Sequence, residues 1–138
     1  TAPPVMVDLL KGPKRLADSK PRLLFFWATW CGICKTALPE VLAFSQARDV
    51  EIVAISDEDP TVVRDFLKTY AEPFPSIVAT DQNRLTFLNY GVSGLPTVVL
   101  VDRDGVVQHF KAGYTRQGGL GIDGWKWNQD APAVSVNP

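Results

Sequence analysis

The stretch Leu23-Leu24-Phe25-Phe26-Trp27-Ala28-Thr29-Trp30-Cys31-Gly32-Ile33-Cys34-Lys35 contains both cysteines of the chain, two residues apart and flanked by tryptophans. Arg22 to Ala28 is a short, almost uninterrupted apolar run, the pattern of a strand buried on both faces of a parallel sheet. Beyond it Cys34, Leu38, Val41, Leu42 and Ser45 recur at the spacing of one helical face, so a helix is predicted from Gly32 to about Ala47. Pro39 should kink that helix, because its missing N–H leaves the carbonyl of Lys35 without a donor. A strand that gives way to a helix at Cys31 sets the sulfur beside unpaired backbone N–H groups and the positive end of the helix dipole. Both favour thiolate, the nucleophile of disulfide exchange. Cys31 is thus read as the attacking sulfur. Cys34, one turn further in, can reach back to resolve a mixed disulfide and leave a Cys31–Cys34 disulfide.

Duller readings are weaker. A structural zinc site needs about four ligands, and one histidine with two cysteines falls short. A purely structural disulfide across so short a loop would constrain the unfolded chain little. Two inert core cysteines would not call for a strand-to-helix junction.

Working outward, Glu51 to Ser56 is a second buried strand. Asp59 can cap a following helix, Pro60 suits its first position, and Val62, Val63, Phe66, Leu67 and Tyr70 form its apolar face. Ser76 to Ala79 is a short strand. Asp81 can cap a further helix through Leu85 and Leu88 that Gly91 ends. Pro96 to Val101 reads as a strand, Arg103-Asp104-Gly105 as a hairpin turn and Val106 to Ala112 as its partner. Upstream, Val5 to Leu10 and Arg15 to Leu16 around Lys11-Gly12-Pro13 suggest a small hairpin. The order predicts an α/β domain with a mixed sheet flanked by helices. Beyond Tyr114 the pattern stops: Gly118, Gly119, Gly121 and Gly124 each cost a helix about 1 kcal/mol against alanine. Trp125 and Trp127 are expected to dock on the domain's own sheet, a partner-binding tail being the alternative. One domain over 1–138 is expected, with its core at about 7–115 and an irregular tail at 116–138.

With 138 residues, 46% hydrophobic and 21% charged, the chain has the composition of a globular domain able to bury a core. A net charge of −1 gives no reason to expect nucleic acid as a partner. No run of about 18 apolar residues is present to span a bilayer, and Thr1-Ala2-Pro3-Pro4 lacks the regions of a signal peptide. The chain is compatible with a cytoplasmic protein and with an exported one whose targeting segment has been removed.

"FFWATWCGICK", Pro39 and "YGVSGLPTVVLVDRDGVV" resemble the thioredoxin fold, and more narrowly its exported TlpA/ResA-like thiol-disulfide oxidoreductases, across roughly residues 7 to 115. The resemblance implies a protein disulfide client and a redox-active Cys31–Cys34 disulfide with no other cofactor or metal. It also implies a membrane-bound or soluble thiol electron donor, and a periplasmic or otherwise exported location. Members of this branch serve cytochrome c maturation or copper-centre assembly, some of them from an N-terminal membrane tether, which this sequence does not include. The segment Asp59 to Gly91 matches the branch's central insertion. Pro96 matches its cis-proline, where the Leu95 backbone is free to pair with an extended client segment. The client surface implied by the family is Trp30, Gly32, Ile33, Leu95 and Pro96.

There are departures. The buried aspartate of thioredoxins is Phe25 here, and the glutamate that this branch carries one turn after its second cysteine is Ala37, so the proton-handling role has no obvious occupant. Glu40 lies about 120° around the helix, a poor substitute. Asp57 and Glu58 follow the second strand and so lie at the carboxyl-end rim, where α/β sites gather. Asp57 is expected to hydrogen-bond the indole of Trp27 and order that rim. The uncharged Gly32-Ile33 pair predicts a reductant nearer thioredoxin, around −270 mV, than DsbA, around −120 mV. His109 is expected to face outward and is assigned no chemistry. Rival functions are a Cu(I)-binding delivery module using both thiolates and a non-catalytic partner-binding domain.

Overall fold

The computed structural model describes residues 2–16 and 19–127. Its elements are β1 (Asp8–Lys11), β2 (Arg22–Phe26), α1 (Gly32–Arg48), β3 (Glu51–Ser56), α2 (Pro60–Thr69), β4 (Ile77–Thr80), α3 (Leu85–Asn89), β5 (Thr97–Val101) and β6 (Val107–Ala112). They build a six-stranded sheet in the order β1-β4-β3-β2-β5-β6. The pairs β2–β3 and β3–β4 are parallel, while β1, β5 and β6 run antiparallel to their neighbours.

The apolar run before the cysteines explains its central place. Leu23 to Phe26 are fully buried, and alternate residues serve opposite faces. Leu23 and Phe25 join the core beneath α1 and α2, with Val98 and Leu100. Leu24 and Phe26 join Val53, Ile55 and Val99 in the core beneath α3. Both cysteines belong to the first core. Helix α1 runs unbroken through Pro39 and turns Cys34, Ala37, Leu38, Val41 and Phe44 inward. Helix α2 starts as its sequence indicates: the carboxylate of Asp59 accepts the N–H of Thr61, and Pro60 takes the first turn. Val62, counted on its apolar face, is instead exposed, and Val63 carries the buried contact.

Two further expectations are adjusted by the structure. The upstream segment makes no small hairpin: β1 leaves its neighbour in sequence and pairs with β4 at the sheet edge. An isolated two-stranded ribbon is marginal, whereas this edge lets Leu9 and Leu10 pack on the two cores. Asp81 caps α3 from outside the N-cap position: Arg84, in the left-handed region at φ 62°, immediately precedes the helix, and the Asp81 carboxylate accepts the first-turn N–H of Phe87 at 2.8 Å. Thr86 and Phe87 therefore face inward, and Leu85 and Leu88 face solvent.

The segment after Tyr114 is irregular but not peripheral. Leu120 and Ile122 are fully buried in the core that holds the cysteines. Trp125 and Trp127 settle on Phe44 of α1, at ring-centroid distances of 6.2 and 5.8 Å, so helix α1 supplies more of their seat than the sheet does. The sheet's contribution is His109 of β6, stacked on Trp125 at 4.7 Å. His109 is thereby half-covered rather than facing freely outward, and its Nε2 lies 2.8 Å from the carbonyl oxygen of Lys126. The last part of the tail, 128–138, lies outside the described residues.

Candidate active site

The chain leaves β2 at Phe26, and the N–H of Trp27 still donates to the carbonyl of Ile55 on β3. A turn follows, closed by the N–H of Cys31 donating to the carbonyl of Ala28. Cys31 then occupies the N-cap of α1 in extended conformation, and its Sγ accepts the N–H of Cys34 at 3.2 Å. This is the arrangement expected of a helix start, with sulfur in place of the usual cap oxygen. Cys31 and Cys34 form a disulfide with Cα atoms 5.3 Å apart. Cys31 keeps 7% of its surface exposed and Cys34 none. The first turn of α1 carries no acidic residue to oppose a thiolate there.

Exposed apolar side chains flank the sulfurs: Trp30 is 73% and Ile33 52% accessible. Gly32 is exposed, and nothing stands within 4 Å of where its Cβ would be. The Leu95–Pro96 peptide bond is cis. Because Thr97 pairs with Phe26, Pro96 lies level with Trp27, at the end of the sheet where the motif begins. Pro96 presents its carbonyl to Gly113, and the Thr97 hydroxyl donates to the carbonyl of Gly94 at 2.7 Å. A groove of about 160 Å³ runs between Trp30 and Leu95, with Phe87, Val92, Asp57 and Arg84 among its walls.

Asp57 does not hold the indole of Trp27. Its carboxylate pairs with the guanidinium of Arg84 across the groove wall, a stronger partner than a neutral N–H. Trp27 is packed among Phe66 and Phe74, at 5.2 and 4.9 Å, and its Nε1 has no hydrogen-bond partner among the described residues. Lys35 places its ammonium 5.2 Å above the Phe66 ring.

The acid that orders the rim is Glu58. One of its oxygens accepts the backbone N–H of Thr29 at 2.8 Å and the Ser56 hydroxyl at 2.7 Å, and the other accepts the Thr29 hydroxyl at 2.7 Å. The Ser56 oxygen in turn accepts the N–H of Glu58 at 3.1 Å. The sequence placed Glu58 at the rim without a task; the threonine before the motif was the available signal. The neighbouring Asp59 carboxyl is held below its ordinary value of 3.8, chiefly by the backbone N–H of Thr61.

Phe25 and Ala37 are both fully buried, so the two positions at which the resemblance implies an acid are apolar here. Glu40 reaches in the other direction, accepting the N–H of Leu120 at 2.9 Å. Among the described residues, no three acidic, histidine or cysteine side chains gather as metal ligands.

A helix that begins on one cysteine of a disulfide, at the same end of the sheet as a cis-proline that leads into the adjacent strand, defines the kind of site this is, and comparison with known proteins assigns it. The Redoxin family model matches residues 12–120. This chain belongs to the Redoxin family. A curated relative, the thiol-disulfide oxidoreductase ResA of Bacillus thuringiensis subsp. konkukian, is 38% identical over 124 residues, covering 84% of this chain and 70% of that protein. Among solved structures, StoA from Bacillus subtilis superimposes with a TM-score of 0.58 at 26% identity, over 70% of this chain and 76% of that one. A thiol-disulfide isomerase from Corynebacterium glutamicum gives a TM-score of 0.67 over 88% of this chain and 92% of its own; at 20% identity it speaks for the fold alone. The fold of this Redoxin-family member is thioredoxin-like.

Proposed function

We propose that this thiol-disulfide oxidoreductase reduces the disulfides of protein clients, with Cys31 as the attacking thiolate and Cys34 as the resolving cysteine. The observation that carries the reading is the asymmetry of the pair: Cys31 caps α1 and keeps an exposed edge, while Cys34 is wholly buried one turn behind it. In the reduced protein the helix terminus favours the anion at Cys31. Its sulfur attacks one client sulfur, a Cys31–client bond forms, and the client S–S bond breaks with its electron pair leaving on the second client sulfur, which takes up a proton. Cys34 then gives up its proton and attacks Cys31. The client's first sulfur departs as thiolate and is protonated, and the Cys31–Cys34 disulfide remains. Two electrons pass from the dithiol to the client. A thiol electron donor, membrane-bound or soluble, restores the dithiol by the reverse exchange.

Trp30, Gly32, Ile33, Leu95 and Pro96 form the client surface in this reading. The exposed indole and isoleucine offer apolar contact on either side of Cys31, and the groove beside Leu95 receives the chain next to the client cysteine. The resemblance to the exported TlpA/ResA-like branch supports a periplasmic or otherwise exported setting and a role in cytochrome c maturation or copper-centre assembly. No helix among the described residues is long and apolar enough to cross a membrane.

Trapping tests the reading. Cys34→Ser leaves Cys31 able to attack but removes the resolving sulfur, so client proteins are expected to accumulate as mixed disulfides on Cys31 that dithiothreitol releases. If the Cys34→Ser protein captures nothing from an oxidised extract while Cys31→Ser does, the roles are reversed. If neither captures a protein and neither the native chain nor the variants speed insulin reduction, protein reduction is wrong.

A further inference from the structure

We infer that Glu58 is a positioning residue for the reaction: it locks the turn before Cys31 to the end of β3 and so holds the sulfur at the helix N-cap where it ionises. The inference rests on Cys31 being the attacking thiolate.

After Trp27 the ladder between β2 and β3 runs out, and the Thr29 N–H, two residues on, donates to a side chain instead of a strand. Glu58 supplies the acceptor. Its carboxylate takes that N–H and the Thr29 hydroxyl together, one on each oxygen. The carboxylate would swing freely on its own stem, but Ser56, fully buried at the last position of β3, fixes it from both sides by donating to one oxygen and accepting from the Glu58 N–H. Four hydrogen bonds thus close a ring from β3 to the residue two places before Cys31. Thr29 is itself the second residue of the turn Ala28 to Cys31, through which the chain reaches the extended N-cap conformation that brings Sγ within 3.2 Å of the Cys34 N–H. Loosening Thr29 releases the start of that turn, and with it the alignment of sulfur, N–H and helix axis on which thiolate stabilisation depends.

The chemistry of the acceptors separates geometry from charge. Glu58→Gln keeps the amide oxygen for Thr29 N–H and the Ser56 hydroxyl, and its amide nitrogen can donate to the Thr29 oxygen where the carboxylate accepted from it. The ring survives without its charge. Glu58→Ala removes it altogether.

The test measures the pH dependence of Cys31 alkylation by iodoacetamide in reduced protein carrying Cys34→Ser, so that one thiol reports. In the Glu58→Ala background the midpoint is expected to move up and the rate at neutral pH to fall about fivefold or more, because less of the sulfur is thiolate. Glu58→Gln restores the rate to within about twofold of the parent. General loosening of the fold would act the other way, exposing Cys31 and speeding alkylation. An unmoved midpoint in Glu58→Ala, or Glu58→Gln as slow as Glu58→Ala, overturns the inference. If Glu58→Ala does not fold, Thr29→Val decides, since it deletes only the hydroxyl bond: its midpoint should rise, and an unchanged midpoint overturns the inference. Should the parent itself react no faster than free cysteine, it is the assignment of Cys31 that fails, a result distinct from any of these.

Discussion

The turn before Cys31 and the segment after Tyr114 are both irregular chain fastened by a glutamate to a regular element, yet they are built differently. At the turn, whose Ala28 and Cys31 also sit in the core, one carboxylate gathers a backbone N–H and two hydroxyls within a few residues of a reactive sulfur. In the later segment, Glu40 contributes a single bond to Leu120 N–H, and burial does the rest through Leu120, Ile122 and the tryptophans on Phe44. Polar rings fix direction, whereas apolar contact fixes only proximity. The first region therefore governs reactivity and the second governs stability.

That division can be broken by experiment. Leu120→Ala empties a fully buried site and should cost about 2–5 kcal/mol in urea unfolding while leaving the pH midpoint of Cys31 alkylation where it was. A shifted midpoint would mean that the later segment tunes the sulfur as well. Glu40→Ala strikes the same segment more gently. It leaves Leu120 N–H without its acceptor and should cost about 1–3 kcal/mol. Gly119 sharpens this contact: its φ is +59°, and a Cβ there would stand 2.5 Å from the Glu40 oxygen, so a side chain at 119 would strain the backbone and push the carboxylate off Leu120 N–H. If Glu40→Ala unfolds at the native urea midpoint, the bond contributes nothing and burial alone holds the segment.

What could be read from the sequence follows the same division. The junction at Cys31, the span of α1 and the Asp59-Pro60 start of α2 are local: period and capping residues lie within one or two turns, and each has its expected place. The cis bond at Pro96 was legible through resemblance. Choices among distant partners were not. Asp57, Glu58 and Asp59 are three adjacent acids, and which of them would order the rim depended on Arg84, which draws Asp57 away, and on Thr29, which Glu58 meets. Glu40 finds its partner 80 residues later. Leu120 and Ile122 stand among glycines with no helical period or extended strand pattern to announce burial, and the pairing of β1 with β4 joins segments that no local pattern connects.

The smallest effect concerns the third acid of the rim. Asp59 shares its run with Glu58 but caps α2, and the Thr61 N–H that lowers its carboxyl below 3.8 in the folded protein is lost on unfolding. A carboxyl depressed by folding adds stability that is fully present above its unfolded value and disappears as the pH falls through its lower folded value. The difference in thermal stability between the native chain and Asp59→Asn should therefore be present at pH 5, shrink below about pH 3.8 and vanish in stronger acid, small throughout because asparagine also caps helices and the site is fully exposed. A difference constant with pH would show that the carboxyl's ionisation contributes nothing to α2. Cys31 alkylation sharpens the point, since Asp59→Asn should leave its midpoint unmoved where Glu58→Ala raises it. If both variants lower it, the rim acts on the sulfur as a field of negative charge and loop fixation by a single carboxylate is not what distinguishes this end of the molecule.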